Sequence, residues 1–441
     1  EFPCNGQFKM KLPYGEYYYE VDHGPAYELL KGNFSVNQKE KNLKWQLHEI
    51  IDLKKKNWYA GETHIHRKLE DVPLLMRAAD LYVGEVITSW NANTSAPQPS
   101  HVQSVLRFDV NRYYDNASED ERGGGALLFF NLKEPFDFSK QKTEYPPLTS
   151  SIYKVLEKSK DAWADLEKPF WPDVPILLST GKINSIGIAN NHMLKSGIFD
   201  TEAWGKKRDT LKYPSPLGNA YWTQEIYYQI LNTGFRIPPS AGSASGVLWN
   251  PVGYNRLYAH VNGTLTYAKF WAAVKAGNCF VSNGPILLCK ANNQLPGHIF
   301  KSNGAKPFTI SINAELYSRD SITTIEIIKD GKVCATISPK EVKNNRFTSV
   351  IKFEKSGWLL VRAISTAHEN FRFASSAPFY VEIGADKKYI SKASCQFFIQ
   401  WLNERAASLK IENVMERDEV YSYINKAHEF WEDLLSKANA E

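Results

Sequence analysis

A chain of 441 residues is longer than one hydrophobic core usually serves, which predicts two or three domains. Hydrophobic residues at 43% and charged residues at 23% fit an ordinary globular protein and exclude a disordered or fibrous one. The net charge of +5 is spread along the chain, and the absence of any apolar run near the roughly 18 residues of a spanning helix predicts a soluble protein without membrane insertion.

The densest basic run, Lys54-Lys55-Lys56, reads as a solvated turn, so no nucleic-acid partner is expected. Cys4, Cys279, Cys289, Cys334 and Cys395 are scattered, without the C-x-x-C spacing of zinc or redox sites, and read as buried thiols or one pair at most. Four N-x-S/T triplets, at Asn33, Asn93, Asn116 and Asn262, are too short a pattern to decide localisation. The expectation is a periplasmic or extracellular protein whose signal peptide is not in this sequence. Oligomeric state is not readable.

In chain order, residues 1–57 read as a small β domain: 17–21 form a strand, and His23-Gly24-Pro25 turns it. From 58 to 285 short apolar runs alternate with helical periods, the pattern of β/α units. Residues 72–81 read as an amphipathic helix and 83–88 as the strand after it. Residues 126–130, 175–178, 183–188 and 257–261 read as further strands, and 222–231 and 267–276 as helices. Between them, 91–125 reads as loop. Residues 286–385 read as a β-sandwich, with 322–328 and 332–337 joined by the hairpin turn Asp330-Gly331. The last segment, 386–441, holds two amphipathic helices whose apolar faces are expected to pack on the barrel.

The strongest chemical signal is Gly61-Glu62-Thr63-His64-Ile65-His66-Arg67. Strand residues two apart point to one side, so His64 and His66 can share one cation, with Glu62 as an acceptor that fixes a ring tautomer. Glu70 and Asp71 follow in the next loop, where barrel sites gather their ligands; Asp71 reads equally well as a helix cap. His192, directly after the strand 183–188, is a candidate third imidazole. Asp165 and Glu167 are candidate acids for metal binding or proton transfer. Arg67, Lys168, Lys182 and Arg256 sit near strand ends, where they can bind an anion or form ordinary ion pairs. His260, in an apolar strand, reads as a core residue. The small-residue segment 240–246 lacks the central serine of a nucleophile elbow, since Ala244 stands there, and reads as a close backbone approach.

Residues 58–287 resemble the CehA/McbA-like metallohydrolase family of the polymerase-and-histidinol-phosphatase (PHP) superfamily. The resemblance rests on Gly61-Glu62-Thr63-His64-Ile65-His66-Arg67, on Asn190-Asn191-His192, and on Arg236-Ile237-Pro238-Pro239-Ser240-Ala241-Gly242-Ser243 with Asn250-Pro251-Val252-Gly253-Tyr254-Asn255-Arg256. It implies an α/β fold built on a distorted (β/α)7 barrel, with divalent metals at the C-terminal strand ends. The sequence departs from the superfamily pattern. Glu62 stands for its usual Asp, Trp90-Asn91 for Asp-His, Lys168-Pro169 for His-Pro, and Ala244-Ser245-Gly246 for Asp-x-His. Those losses imply one metal, or two at most, rather than a three-metal cluster.

The expected function is a metal-dependent hydrolase. His64, His66 and His192, with Glu70 or Asp71, hold zinc, or manganese or iron in its place, and the metal activates water to cleave an ester, amide, carbamate or phosphoester. Glu167, Asp165, Lys168 and Arg67 are its expected catalytic groups, and a small molecule or glycan its substrate. Two other readings stay open. One is a catalytically reduced PHP-like binding protein. The other is a carbohydrate-active enzyme of the exported glycan-processing kind that works with paired carboxylates.

Overall fold

The computed structural model describes residues 2–38, 42–91, 104–139, 141–304, 307–367, 370–385 and 387–441. Near the N-terminus, β1 (Gly15–Val21) and β2 (Leu30–Val36) form an antiparallel pair, and Tyr17 stacks on Phe34 at 5.4 Å.

The central region is mixed α/β. It runs β3 (Trp58–Ile65), α1 (Val72–Ala78), β4 (Val83–Trp90), β5 (Val105–Asp109), β6 (Arg112–Arg122), β7 (Gly125–Phe130), α2 (Leu148–Lys158) and β8 (Trp163–Leu166). After these come α3 (Val174–Ser179), β9 (Ser185–Ala189), the short β10 (Met193–Leu194) and β11 (Gly197–Ile198), α4 (Gly218–Asn232), β12 (Pro239–Ala241), β13 (Arg256–His260), α5 (Tyr267–Lys275) and β14 (Cys279–Ser282). The large sheet has the order β12-β9-β8-β7-β6-β4-β3-β13-β14 and continues into the C-terminal strands. Within it β3, β4 and β6 run parallel, as do β8, β9 and β12, while β7 is antiparallel to both its neighbours.

Every residue of β3 is buried, and alternate residues feed two apolar clusters, as the pleat requires. Tyr59, Val83 and Ile87 belong to one; Trp58, Ala60 and Val86 belong to the other. The two ends of the run β12 to β3 meet at one point. Ile65 bridges Ser245, and His66 N donates to Ser245 O at 2.8 Å. No continuous ladder closes that ring among the described residues.

Two stretches differ from the sequence reading. Residues 175–178 are not a strand but part of α3, a six-residue helix with proline in its first turn. An apolar run that short carries no period to tell the two apart. The supposed loop 91–125 contains β5 and β6. In β6 Asp115, Asn116, Ser118, Glu119 and Asp120 are buried, so the strand lacks the apolar alternation by which strands are recognised.

The C-terminal region is β-rich. Its strands are β15 (Ile286–Ala291), β16 (Ile299–Ser302), β17 (Phe308–Tyr317), β18 (Ile322–Lys329), β19 (Lys332–Ile337), β20 (Arg346–Phe353), β21 (Gly357–Ala367), β22 (Asn370–Ser376) and β23 (Phe379–Ile383). Strands β15, β17 and β20 form a separate sheet, and β22 joins the large sheet beside β14. Ile310, Ile312 and Phe353 of the small sheet share a cluster with Ile325, Ile327 and Val361 of the large one. Asp330 and Gly331, both at positive φ, make the tight turn between β18 and β19.

Two helices end the chain, α6 (Lys392–Ser408) and α7 (Val414–Ser436). Trp431 donates to Pro175 O at 2.9 Å and stacks on Phe398, while Arg405 reaches Asp173 and Glu144. Among the described residues no helix is long and apolar enough to cross a membrane.

Candidate metal centre

The end of β3 carries the site. The register between β3 and β4 shifts between Glu62 and Ile65, an irregularity of the kind that re-aims side chains beside sites. There His64 and His66 lie on one side, their Nε2 atoms 2.9 Å apart. Glu119, from the polar strand β6, completes the group: its Oε2 is 3.4 Å from His64 Nε2 and 3.1 Å from His66 Nε2. His64 and Glu119 are buried and His66 nearly so.

The chemistry of these atoms fits a transition-metal ion. Two imidazole nitrogens and one carboxylate oxygen are a donor set that zinc, iron and manganese accept. Donors bound tetrahedrally at about 2.0–2.1 Å sit about 3.3–3.4 Å from one another, close to the spacing found. Glu119 Oε2, His64 Nδ1 and Glu167 Oε1 are buried with no hydrogen-bond partner among the described residues. Three orphaned polar atoms at one spot would cost several kcal/mol if nothing else bound there. This buried His-His-Glu group can hold a metal ion.

Electrostatics agree. Burial alone would depress His64, yet the Glu119 and Glu167 carboxylates push it up to about 10. Burial likewise works to raise Glu119, but His64 and His66 hold it far below the usual carboxylate range. His66 moves the other way, lowered chiefly by burial.

Glu167 follows β8 directly. Its Oε1 faces His64 Nδ1 at 3.5 Å, and its Oε2 accepts from Trp171 Nε1 at 3.1 Å and from Lys168 Nζ. Despite burial, Lys168 and His64 hold Glu167 down at about 2. Lys168 is buried beside it, its Nζ 4.5 Å from the centre of the Trp171 ring.

The other expected residues lie elsewhere. His192 is buried after β9, but its Nδ1 bonds Thr201 O at 2.9 Å and its ring packs against Phe170 and Phe199, outside the ligand group. Burial and the nearby Lys168 push it down to about 3, so it is a neutral ring. Glu70 and Asp71 are exposed and not in the group, and Asp71, preceding α1, makes no side-chain cap bond. Asp165 is buried, accepting from Ser240 Oγ at 2.5 Å and from Ser185 Oγ; burial pushes it up to about 6. Arg67 is exposed, and its Nε donates to Ser245 Oγ at 3.0 Å. Among the described residues Glu62 makes no hydrogen bond to the imidazoles. Its carboxylate accepts from the backbone of Ser243 at 2.7 Å and Gly253 at 2.5 Å, tying the strand to the loop after β12. That loop passes close: a Cβ on Gly242 would sit 2.4 Å from His64 Cβ, and one on Gly246 would sit 1.8 Å from His66 O.

Sequence reasoning missed Glu119 and its neighbour Glu121. The available signal was their spacing, since acids two apart in a strand share a side. Neither a protein-family model nor a curated protein matches this sequence.

Proposed function

We propose that this chain is a metal-dependent hydrolase of the CehA/McbA-like kind within the PHP superfamily. The observation that carries the reading is the buried His64–His66–Glu119 group with its orphaned atoms. The barrel expected of that family draws support from the seven strands β3, β4, β6, β7, β8, β9 and β12, whose two ends meet at the Ile65–Ser245 bridge.

In this reading His64, His66 and Glu119 hold the cation, zinc being the best match to two imidazoles and one carboxylate. When bound, a divalent ion supplies a Lewis acid that polarises an ester, amide, carbamate or phosphoester and lowers the pKa of water. The chain's own residues set the stage. Glu167 Oε1, 3.5 Å from His64 Nδ1, favours a proton on that nitrogen and so the tautomer that leaves Nε2 free to ligate. Lys168 and Trp171 hold the other oxygen of Glu167, so that carboxylate positions His64 rather than shuttling protons. Glu62 pins the loop that runs under both histidines.

The test is elemental analysis of purified protein together with a His64→Ala/His66→Ala variant. Stoichiometric zinc, manganese or iron in the wild type, absent from a folded variant that has lost turnover on an ester, amide and phosphoester panel, is expected. A folded wild type that takes up no metal on titration sinks the reading.

A further inference from the structure

A cation held by His64, His66 and Glu119 answers the orphaned oxygen of Glu119, but not every orphaned atom beside it. Trp90 Nε1 is fully buried and makes no hydrogen bond among the described residues. An indole N–H is a donor and nothing else, so a cation cannot answer it. It needs a lone pair, and a buried donor left without one is costly.

The fold holds this donor against the ligand group. Trp90 ends β4 level with Glu119 in the parallel ladder of β4 and β6, and residues level with one another in neighbouring strands present their side chains to the same face. Its ring lies 4.9 Å from that of His66, centroid to centroid, with the planes 57° apart, and His66 Nε2 is 3.1 Å from Glu119 Oε2. The three side chains therefore border one space. Trp90 as a whole is only partly buried although its Nε1 is fully so, which turns the N–H edge inward and leaves another edge to solvent. Asn91 fixes the strand end, its Nδ2 donating to Asp120 Oδ1 at 3.0 Å and its Oδ1 accepting from Glu121 N at 2.9 Å.

We infer that Trp90 is a catalytic donor, its N–H hydrogen-bonding the substrate oxygen that takes the position left open by His64, His66 and Glu119. The inference rests on the hydrolase reading above and adds the residue that recognises the substrate's oxygen. Three protein ligands leave one position of a catalytic zinc site for water or substrate. An N–H aimed there is a fixed dipole of the oxyanion-hole kind, stabilising charge as it develops on that oxygen. The bond also selects its ligand, because an oxygen anion accepts strongly whereas sulfur is a weak acceptor.

The test compares zinc-loaded wild type with Trp90→Phe, which keeps an aromatic ring against His66 and loses the N–H. Acetohydroxamate and mercaptoethanol, an oxygen and a sulfur ligand for zinc, are titrated into each by calorimetry, and the indole N–H signals of isotopically labelled tryptophan are followed by NMR. Acetohydroxamate affinity should fall about tenfold in Trp90→Phe, with zinc content and mercaptoethanol affinity unchanged. One wild-type indole signal, missing from the variant, should move downfield when acetohydroxamate is added. If Trp90→Phe does not fold, cobalt(II) in place of zinc identifies that signal in the wild type by its paramagnetic shift. An unchanged acetohydroxamate affinity, an equal loss for both ligands, or no indole signal moving downfield overturns the inference while metal binding stands. A wild type that takes up no zinc fells the hydrolase reading and this donor with it.

Discussion

The clearest electrostatic consequence of the fold lies at Glu85 and Asp115, which face each other across the parallel ladder of β4 and β6 and are both fully buried. Tyr267 Oη lies 3.1 Å from Glu85 Oε2 and 3.2 Å from Asp115 Oδ2, but a hydroxyl has one proton and satisfies one of them. Trp271 Nε1 donates to Glu85 at 3.1 Å, and Asn131 N to Asp115 at 2.5 Å, while Asp115 Oδ1 has no partner among the described residues. Burial pushes Asp115 from 3.8 up to about 6, and burial and Asp115 together raise Glu85 well above its ordinary value. A carboxyl whose pKa is raised by folding favours the protonated form. Its contribution is therefore full below about pH 4 and is lost as pH rises through about 6. At about 1.4 kcal/mol per pKa unit, the roughly two-unit shift of Asp115 is worth about 3 kcal/mol over that window. Asp115→Asn removes the titration, and its amide can still accept from Asn131 and donate to Glu85. Urea unfolding of both proteins at pH 4.5 and pH 8 should show the variant gaining about 2 kcal/mol relative to wild type at the higher pH, since part of the full contribution is already lost at pH 4.5. Parallel stability profiles for the two proteins would refute the reasoning.

Other consequences are equally direct. Glu119→Gln keeps the shape of the third ligand but removes its charge, so metal affinity should fall by about tenfold or more in a chelator competition. In the metal-free form of the same variant, the His64 imidazole, held at about 10 partly by Glu119, should titrate lower by NMR. Gly246→Ala forces a Cβ against His66 O at a φ of +109°, which should cost about 1–3 kcal/mol and weaken metal binding in calorimetry without abolishing folding. Arg405→Met on α6 leaves Asp173, now 2.6 Å from the guanidinium, buried without its partner; chemical denaturation should register a loss of about 3 kcal/mol. A negligible effect would mean that the C-terminal helices dock without that pair.

How much of this was legible in the sequence follows from which physical signal each residue left. His64 and His66 declared themselves because a strand's two-residue period places them together, and the Asp330-Gly331 hairpin because its turn needs two residues at positive φ. Glu167 stood among the candidate acids although its strand, β8, was not read, and its role depends on Lys168, Trp171 and His64, contacts that no local pattern encodes. His192 stands where a ligand would, and only the fold shows its ring turned to Thr201 O.

Glu119 was hidden for a more general reason. Strand recognition relies on apolar residues filling buried positions, yet β6 buries Asp115, Asn116, Ser118, Glu119 and Asp120. Such a strand persists only where other groups answer its polar atoms. Tyr267 and Asn131 answer Asp115, Arg122 and Ser151 answer Asp120, and the two histidines face Glu119. The property that makes β6 unreadable as a strand is therefore the one that lets it serve the site. A polar run lying between buried strands, with acids at two-residue spacing, is a signal for a functional strand in its own right.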